Sequence, residues 1–206
     1  MTILVVDYGM GNLGSVRRAL EECGANVLIS DDPHDLKLAS HILLPGVGAF
    51  CDGVNHLTQR GWPKALRQAV LEDGLPLLGI CLGMQLLMAQ GDEGGDANGL
   101  GFFEGRVVRM TPTAGERIPH VGWNELHHVR PDPLTTGIPQ GTDFYFVHSY
   151  AVEPTDPTTV IATTPYAGGV PALIGKGQVW GAQFHPEKSA KAGFRLLQNF
   201  LGTAVC

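Results

Sequence analysis

Short apolar runs alternate with amphipathic stretches through the first ninety residues of the chain. Thr2–Asp7 is a continuous run rich in Ile and Val. Asn12–Cys23 follows with apolar residues at Leu13, Val16, Ala19, Leu20 and Cys23, the spacing of one helix face, and stops at Gly24. Asn26–Ser30 and His41–Leu44 repeat the apolar run, with a weak helical segment from about Pro33 between them. Helical spacing resumes over Val54–Leu57 and Ala65–Leu71, and a further apolar run, Leu75–Ile80, leads into a helix predicted over Leu82–Ala89. Strands without a polar face, alternating with helices, predict a parallel sheet covered on both sides. From about Glu104 the texture changes to shorter strands at Gly105–Met110, Phe144–Tyr150, Thr159–Thr163, Ala172–Gly175 and Gln178–Phe184, then a last helix over about Ser189–Leu201. The expectation is one α/β domain over residues 1–206, an open and mostly parallel sheet flanked by helices with an antiparallel extension.

Composition narrows the class. With 206 residues, 44% hydrophobic and 17% charged, the chain is too apolar for intrinsic disorder. The 14 Lys+Arg against 20 Asp+Glu give a net charge of -6, which removes the electrostatic case for nucleic acid or an anionic membrane as partner. The first residues, Met-Thr-Ile-Leu-Val-Val-Asp, carry no basic segment ahead of an apolar core, so no secretory or membrane signal is read. Cysteines 23, 51, 81 and 206 fit neither C-x-x-C spacing nor a disulfide scaffold, and a reduced, cytoplasmic protein is expected. The 28 glycines, roughly twice ordinary usage, point to tight turns.

Three segments are candidates for chemistry. Gly9-Met10-Gly11-Asn12-Leu13-Gly14 matches G-x-G-x-x-G between a strand and a helix, with Asp31 and Asp32 after the next strand, as a dinucleotide site requires. Asp7 and Tyr8 stand before the first glycine, however, where a negative side chain repels a pyrophosphate, so a structural turn is the preferred reading. Gly79-Ile80-Cys81-Leu82-Gly83 sits between a strand and a helix with glycines two before and two after a cysteine, the spacing of a nucleophile elbow with sulfur in place of hydroxyl. A helix start favours the reactive thiolate, and the Leu82 amide is placed to meet a developing oxyanion. A buried core cysteine is the alternative; it accounts for Cys23 and Cys51 but not for the paired glycines. Lastly, Gln178–Phe184 runs into His185-Pro186-Glu187. Pro186 biases His185 toward an extended conformation, which turns imidazole and carboxylate to one side. His185 is then a candidate base for Cys81, oriented by Glu187, against the alternative of a surface turn.

Gly79–Gln85 together with Phe184–Glu187 resembles the class I (triad) glutamine amidotransferases, over essentially the whole chain and with the flavodoxin-like fold of that family. Asp7–Leu13, Pro45-Gly46-Val47-Gly48-Ala49-Phe50, Val121-Gly122-Trp123-Asn124 and Phe144–Tyr150 are similar to the histidine-biosynthetic branch of the family. The resemblance implies that Cys81, His185 and Glu187 hydrolyse L-glutamine and that Val47, Gly48 and Leu82 form the oxyanion hole. Gly46, Gln85, His148, Ser149 and Tyr150 would bind substrate, the last three largely through backbone groups. The two glycines flanking Val47 would let a peptide unit rotate, making activity depend on a partner. The implied partner is a separate (β/α)₈-barrel cyclase subunit in a heterodimer. It would use the ammonia to form imidazole glycerol phosphate and an aminoimidazole carboxamide ribotide, with Asn12, Trp123, Tyr145 and Lys188 at the interface. No cofactor is implied. A metal is not expected either: His127 and His128 point to opposite faces of a strand, and His34, His41, His56 and His120 have no partner visible in the sequence. A glutaminase of another pathway such as pyridoxal phosphate synthesis, a free-standing cysteine hydrolase and a dinucleotide-binding module remain as alternatives.

Overall fold

The computed structural model describes residues 1–113 and 115–203; Cys206 lies outside the described residues. The first half contains β1 (Thr2–Val6), α1 (Leu13–Glu22), β2 (Asn26–Ser30), β3 (His41–Leu44), α2 (Phe50–Gln59), α3 (Trp62–Leu71), β4 (Leu77–Ile80) and α4 (Leu82–Leu86). The chain continues through β5 (Met88–Gly91), β6 (Ala97–Asn98), β7 (Phe103–Arg109), β8 (His120–His128), β9 (Thr142–His148) and β10 (Tyr150–Pro154). It closes with β11 (Val160–Thr164), β12 (Val170–Lys176), β13 (Val179–Ala182) and α5 (Ala190–Leu201).

One sheet runs in the order β2-β1-β3-β4-β13-β12-β11-β8-β9. Its first five strands are parallel and the rest antiparallel, the predicted plan of a parallel sheet with an antiparallel extension. The apolar runs read as they do because β1 alternates between two cores. Ile3 and Val5 enter the cluster that includes Val16 and Leu20 of α1 and Leu197 and Phe200 of α5. Leu4 and Val6 enter the opposite cluster with Phe50 and Leu57 of α2 and Trp62 and Leu66 of α3. Both faces are buried, so no polar alternation survives.

Two expectations are corrected. The helix predicted over Leu82–Ala89 ends at Leu86. Leu100, Phe102 and Phe103 supply amides to the carbonyls of Leu86 and Leu87, and Met88–Gly91 becomes a strand. This strand opens a second sheet, β10-β7-β5-β6, so the antiparallel region is divided between two sheets. Tertiary pairing overrides a helical pattern too short to decide the matter.

The elbow depends on backbone packed against backbone. A Cβ at Gly79 would stand 2.6 Å from the Gly83 carbonyl oxygen, and one at Gly83 would overlap the carbonyl oxygen of Leu44 in β3. Gly83→Ala is therefore expected to push α4 off the sheet and destabilise the fold by about 2–4 kcal/mol, as overpacking in a close-packed core does. Urea unfolding monitored by circular dichroism checks this; an unchanged midpoint would rule out the close contact.

Candidate active site

The site arises where two parallel strands end. In the β4–β13 pairing Ile80 faces Ala182, and the Cys81 amide donates to the Ala182 carbonyl at 2.8 Å. Cys81, the first residue beyond β4, therefore lies beside Gln183–His185, the first residues beyond β13. Cys81 adopts φ 55°, ψ -112°, a left-handed conformation that costs a side-chain-bearing residue energy and turns its thiol out of the sheet. The thiol donates to the Val147 carbonyl of β9 and accepts from Gln183 Nε2, each at 3.8 Å.

His185 Nδ1 and Glu187 Oε1 are 2.8 Å apart, and both side chains are almost wholly buried. The sequence pattern placed them on one side; the structure bonds them directly. The main chain of His185 is pinned on either side of its ring: its amide donates to the Tyr145 carbonyl at 2.9 Å, and its carbonyl accepts from Ser189 Oγ at 2.6 Å. Nε2 of His185 has no hydrogen-bond partner among the described residues. Burial disfavours the charged ring, but the attraction of Cys81 and the bond to Glu187 outweigh it and raise the pKa of His185 to about 9.

Cys81 and His185 open onto a pocket of about 430 Å³ that Val47, Gly48, Leu82 and Gln85 also line. His148, Ser149 and Tyr150 close it from the β9–β10 corner. The structure thus brings together nine of the predicted catalytic, oxyanion and substrate residues, while Gly46 and Glu187 stand behind the wall. Gln85 is not a solvated helix residue: it is 4% exposed, and its Nε2 donates to the Tyr150 carbonyl and to Gln183 Oε1, both at 3.1 Å. The carbonyls of Ser149 and Tyr150 are already engaged, the first by the Met110 amide at 3.0 Å and the second by Gln85 and by His148 Nδ1 at 2.8 Å. That narrows what backbone these residues can offer a ligand. A larger cavity of about 610 Å³, between the 3-10 turn Pro33–Leu38 and α3, contains no cysteine or serine.

Several residues at the site had no signal in the sequence. Gln183 touches both Cys81 and Gln85. Glu93 adds a carboxylate to the pocket; burial raises its pKa, while the Phe50 amide donates to it and works the other way. Tyr8 is buried and its hydroxyl donates to the Pro45 carbonyl at 2.9 Å; burial and the neighbouring Cys81 keep the phenol protonated. The segment Tyr8–Gly14 packs against the Pro45–Gly48 loop: Tyr8 holds Pro45, and a Cβ on Gly11 would meet the Pro45 ring at 3.3 Å. Gly48 there has φ 110°, a conformation open to glycine. The histidines also have partners after all: His34 with Asp32, His127 with Glu125, His56 with the Tyr8 carbonyl, His41 with the Thr203 carbonyl and His120 with His148. No group of three or more metal-ligating side chains occurs among the described residues.

Three of the four expected interface residues form one patch beside the pocket mouth. Trp123 packs edge-on to Tyr145 with ring centroids 6.1 Å apart, and Lys188 Nζ lies 5.8 Å from the Tyr145 ring. On the same face of the β8–β9 pair, Trp123 is 54% exposed, Val121 57% and Val147 37%, a contiguous apolar band. Asn12 is exposed and caps α1, its Oδ1 accepting from the Ser15 amide at 3.3 Å. No helix among the described residues is long and apolar enough to cross a membrane.

A cysteine on a strained elbow thus stands beside a buried His–Glu pair at the end of the neighbouring strand of a doubly wound sheet. A family model, Glutamine amidotransferase class-I, matches residues 4–203, and the chain belongs to that family. It is 50% identical over 204 residues to the Imidazole glycerol phosphate synthase subunit HisH of Symbiobacterium thermophilum, covering 99% of this chain and 94% of the relative. It is 48% identical over 198 residues to the protein of the same name from Moorella thermoacetica, covering 96% and 93%. The crystal structure of a glutamine amidotransferase, 22% identical, superposes with a TM-score of 0.75 over 97% of this chain and 96% of that one, which supports the fold.

The titrations set the pH response. His185 binds its proton more tightly when folded, so its stabilisation is fully present below about 6.5 and is lost as pH rises through about 9. Glu187→Gln is expected to move the His185 titration toward acid by at least about one pH unit and to flatten the alkaline loss of stability. Imidazole proton chemical shifts followed against pH measure the first effect, and an unmoved midpoint would sink the assignment of Glu187 as a partner that raises the titration.

Proposed function

We propose that this chain hydrolyses L-glutamine to glutamate and ammonia as the glutaminase subunit of an imidazole glycerol phosphate synthase in histidine biosynthesis, working as a single domain in the cytoplasm. The observation that carries this reading is the meeting, in one pocket, of a glycine-flanked Cys81 and His185, with Glu187 bonded to the far side of that ring, in a chain 50% identical to a relative of that name.

The chemistry follows from the geometry. The Cys81 thiolate attacks the side-chain carbonyl carbon of glutamine, and the tetrahedral oxyanion is met by the Leu82 amide and an amide of the Val47–Gly48 loop. A raised pKa keeps His185 protonated at neutral pH, the form required to hand a proton to the departing ammonia as the C–N bond breaks. Water then attacks the thioester, His185 accepts its proton, and the thiolate leaves. Glu187 holds the ring through Nδ1 and leaves Nε2 for the reacting atoms. Both Gln85 amide bonds are committed inward, so its Oε1 is the atom that takes an N–H of the substrate. Glu93 supplies the pocket's carboxylate for the substrate's ammonium group.

The ammonia passes to a separate (β/α)₈-barrel cyclase subunit docked on Val121, Trp123, Tyr145 and Lys188. Aromatic residues on an exposed sheet face beside the pocket mouth are the composition of an interface centre.

Glutamine hydrolysis is expected to be slow for the chain alone and to rise by orders of magnitude when the cyclase and its nucleotide ligand are added. Vigorous turnover by the isolated chain, or no response to the cyclase, would sink the partner-gated reading. Cys81→Ala should lower hydrolysis at least about a thousandfold while leaving assembly intact. Trp123→Ala should weaken cyclase binding by about 2 kcal/mol, read by calorimetric titration, with the chain still folded.

A further inference from the structure

His120 lies outside every role assigned above, yet it is 3% exposed and faces the pocket wall. In the β8–β9 register it stands directly opposite His148. Its ring is held between Tyr166, centroids 3.8 Å apart and 13° from parallel, and Phe146, at 4.8 Å and 21°. Its edges meet two polar atoms: His148 Nε2 at 3.0 Å from Nδ1, and Asn124 Nδ2 at 3.2 Å from Nε2.

Donors and acceptors in this row can be assigned from either end with the same result. Asn124 Oδ1 accepts from the Glu125 amide at 2.9 Å, which turns its NH₂ toward His120. Nε2 of His120 is then the acceptor, so its proton sits on Nδ1 and is given to His148 Nε2. His148 in turn carries its proton on Nδ1 and gives it to the Tyr150 carbonyl at 2.8 Å. From the other end, the Tyr150 carbonyl can only accept, which fixes the same tautomers in reverse. That carbonyl also takes a hydrogen of Gln85, whose other hydrogen goes to Gln183 Oε1, and Gln183 Nε2 reaches Cys81.

We propose that His120 is a positioning residue of the glutaminase site: by giving its Nδ1 proton to His148 it fixes the tautomer of that ring, and through the shared Tyr150 carbonyl it orients the carboxamide of Gln85 toward the substrate. The proposal rests on the glutaminase reading, since it concerns the pocket in which that reaction occurs. The effect falls on recognition of the glutamine side chain more than on the reactivity of the thiol, because beyond Gln85 the row reaches Cys81 only through Gln183 Nε2 at 3.8 Å, while His185 and Glu187 are bonded separately.

The test compares three substitutions that make different hydrogen bonds at nearly the same volume. Asn places its amide nitrogen where Nδ1 of histidine lies, Gln places it where Nε2 lies, and Phe retains the stacking with no donor. Labelling of Cys81 in the full chain is measured with the diazoketone analogue of glutamine, which must occupy the pocket, and with iodoacetamide, which need not. His120→Phe and His120→Gln should each raise the half-saturating analogue concentration about tenfold, the effect of one lost hydrogen bond, while His120→Asn stays within about threefold of the parent. Iodoacetamide labelling should be the same in all. Asn124→Ala, at a half-buried position, provides a second variant and should raise the analogue concentration about threefold. Saturation unchanged in both His120→Gln and Asn124→Ala, or His120→Asn no better than His120→Gln, would overturn the proposal. A parent chain whose Cys81 the analogue fails to label would overturn the glutaminase reading itself, and this proposal with it.

Discussion

The parallel pairing of β4 with β13 is the constraint on which the site depends. Residues 102 positions apart, Cys81 and Gln183, become neighbours because Ile80 faces Ala182 and the next amide closes on the Ala182 carbonyl. Parallel strands end at the same edge of a sheet, so a cysteine following one and a histidine following the other must open onto the same crevice. The elbow then needs room for a left-handed residue, and the backbone contacts of Gly79 and Gly83 provide it. Removing either the pairing or the glycines would leave the same side chains without a common pocket.

Much of this was legible in the chain, and the reasons are physical. A strand buried on both faces writes itself as an unbroken apolar run, which is why β2 and β3 are read with the bounds observed and β1 to within a residue. The elbow is legible because a positive φ at a side-chain-bearing residue needs small neighbours at fixed spacing. What escaped were features that exist only across the fold. Met88–Gly91 carries no periodicity of its own and becomes a strand because Phe103–Arg109 lies beside it. His120 is tied to the site only across the fold: His148 is 28 residues away and meets it through the β8–β9 register. Gln183 and Glu93 are single polar residues whose meaning is conferred by the pocket they enter.

The exposed and the buried faces of β8–β9 divide their work by alternation. Val121 and Trp123 point outward with Tyr145 and Val147, while His120, Phe144, Phe146 and His148 point inward. The carbonyl of Tyr145 holds the amide of His185, and the carbonyl of Val147 takes the Cys81 thiol. The strand that displays the exposed apolar band is therefore the strand that supports both Cys81 and His185, with no intervening layer. A partner covering Trp123 and Tyr145 is in contact with the scaffold of the site.

Three histidines share this small volume, and their surroundings drive them to opposite charge states. His185, beside Cys81 and with the Glu187 carboxylate on Nδ1, is raised to about 9 despite burial. His148 is lowered to about 4, chiefly by burial, with the charges of His120 and His185 adding to the effect and the Tyr150 carbonyl opposing it. His120 is lowered to about 4 by burial, with Glu116 opposing. At neutral pH one ring is therefore cationic and two are neutral: one ring with a proton to give at either nitrogen, and two rings able to accept at one nitrogen while donating at the other. Protonation of His148 would put a second donor opposite the Nδ1 proton of His120 and break the row that ends on Gln85. The neutral pair loses stability as pH falls from about 6.5 toward 4, because the unfolded rings then bind protons that the folded ones refuse. Glu187 thus acts beyond its own bond: together with Cys81 it holds the positive charge on His185, and that charge adds to burial in keeping His148 neutral.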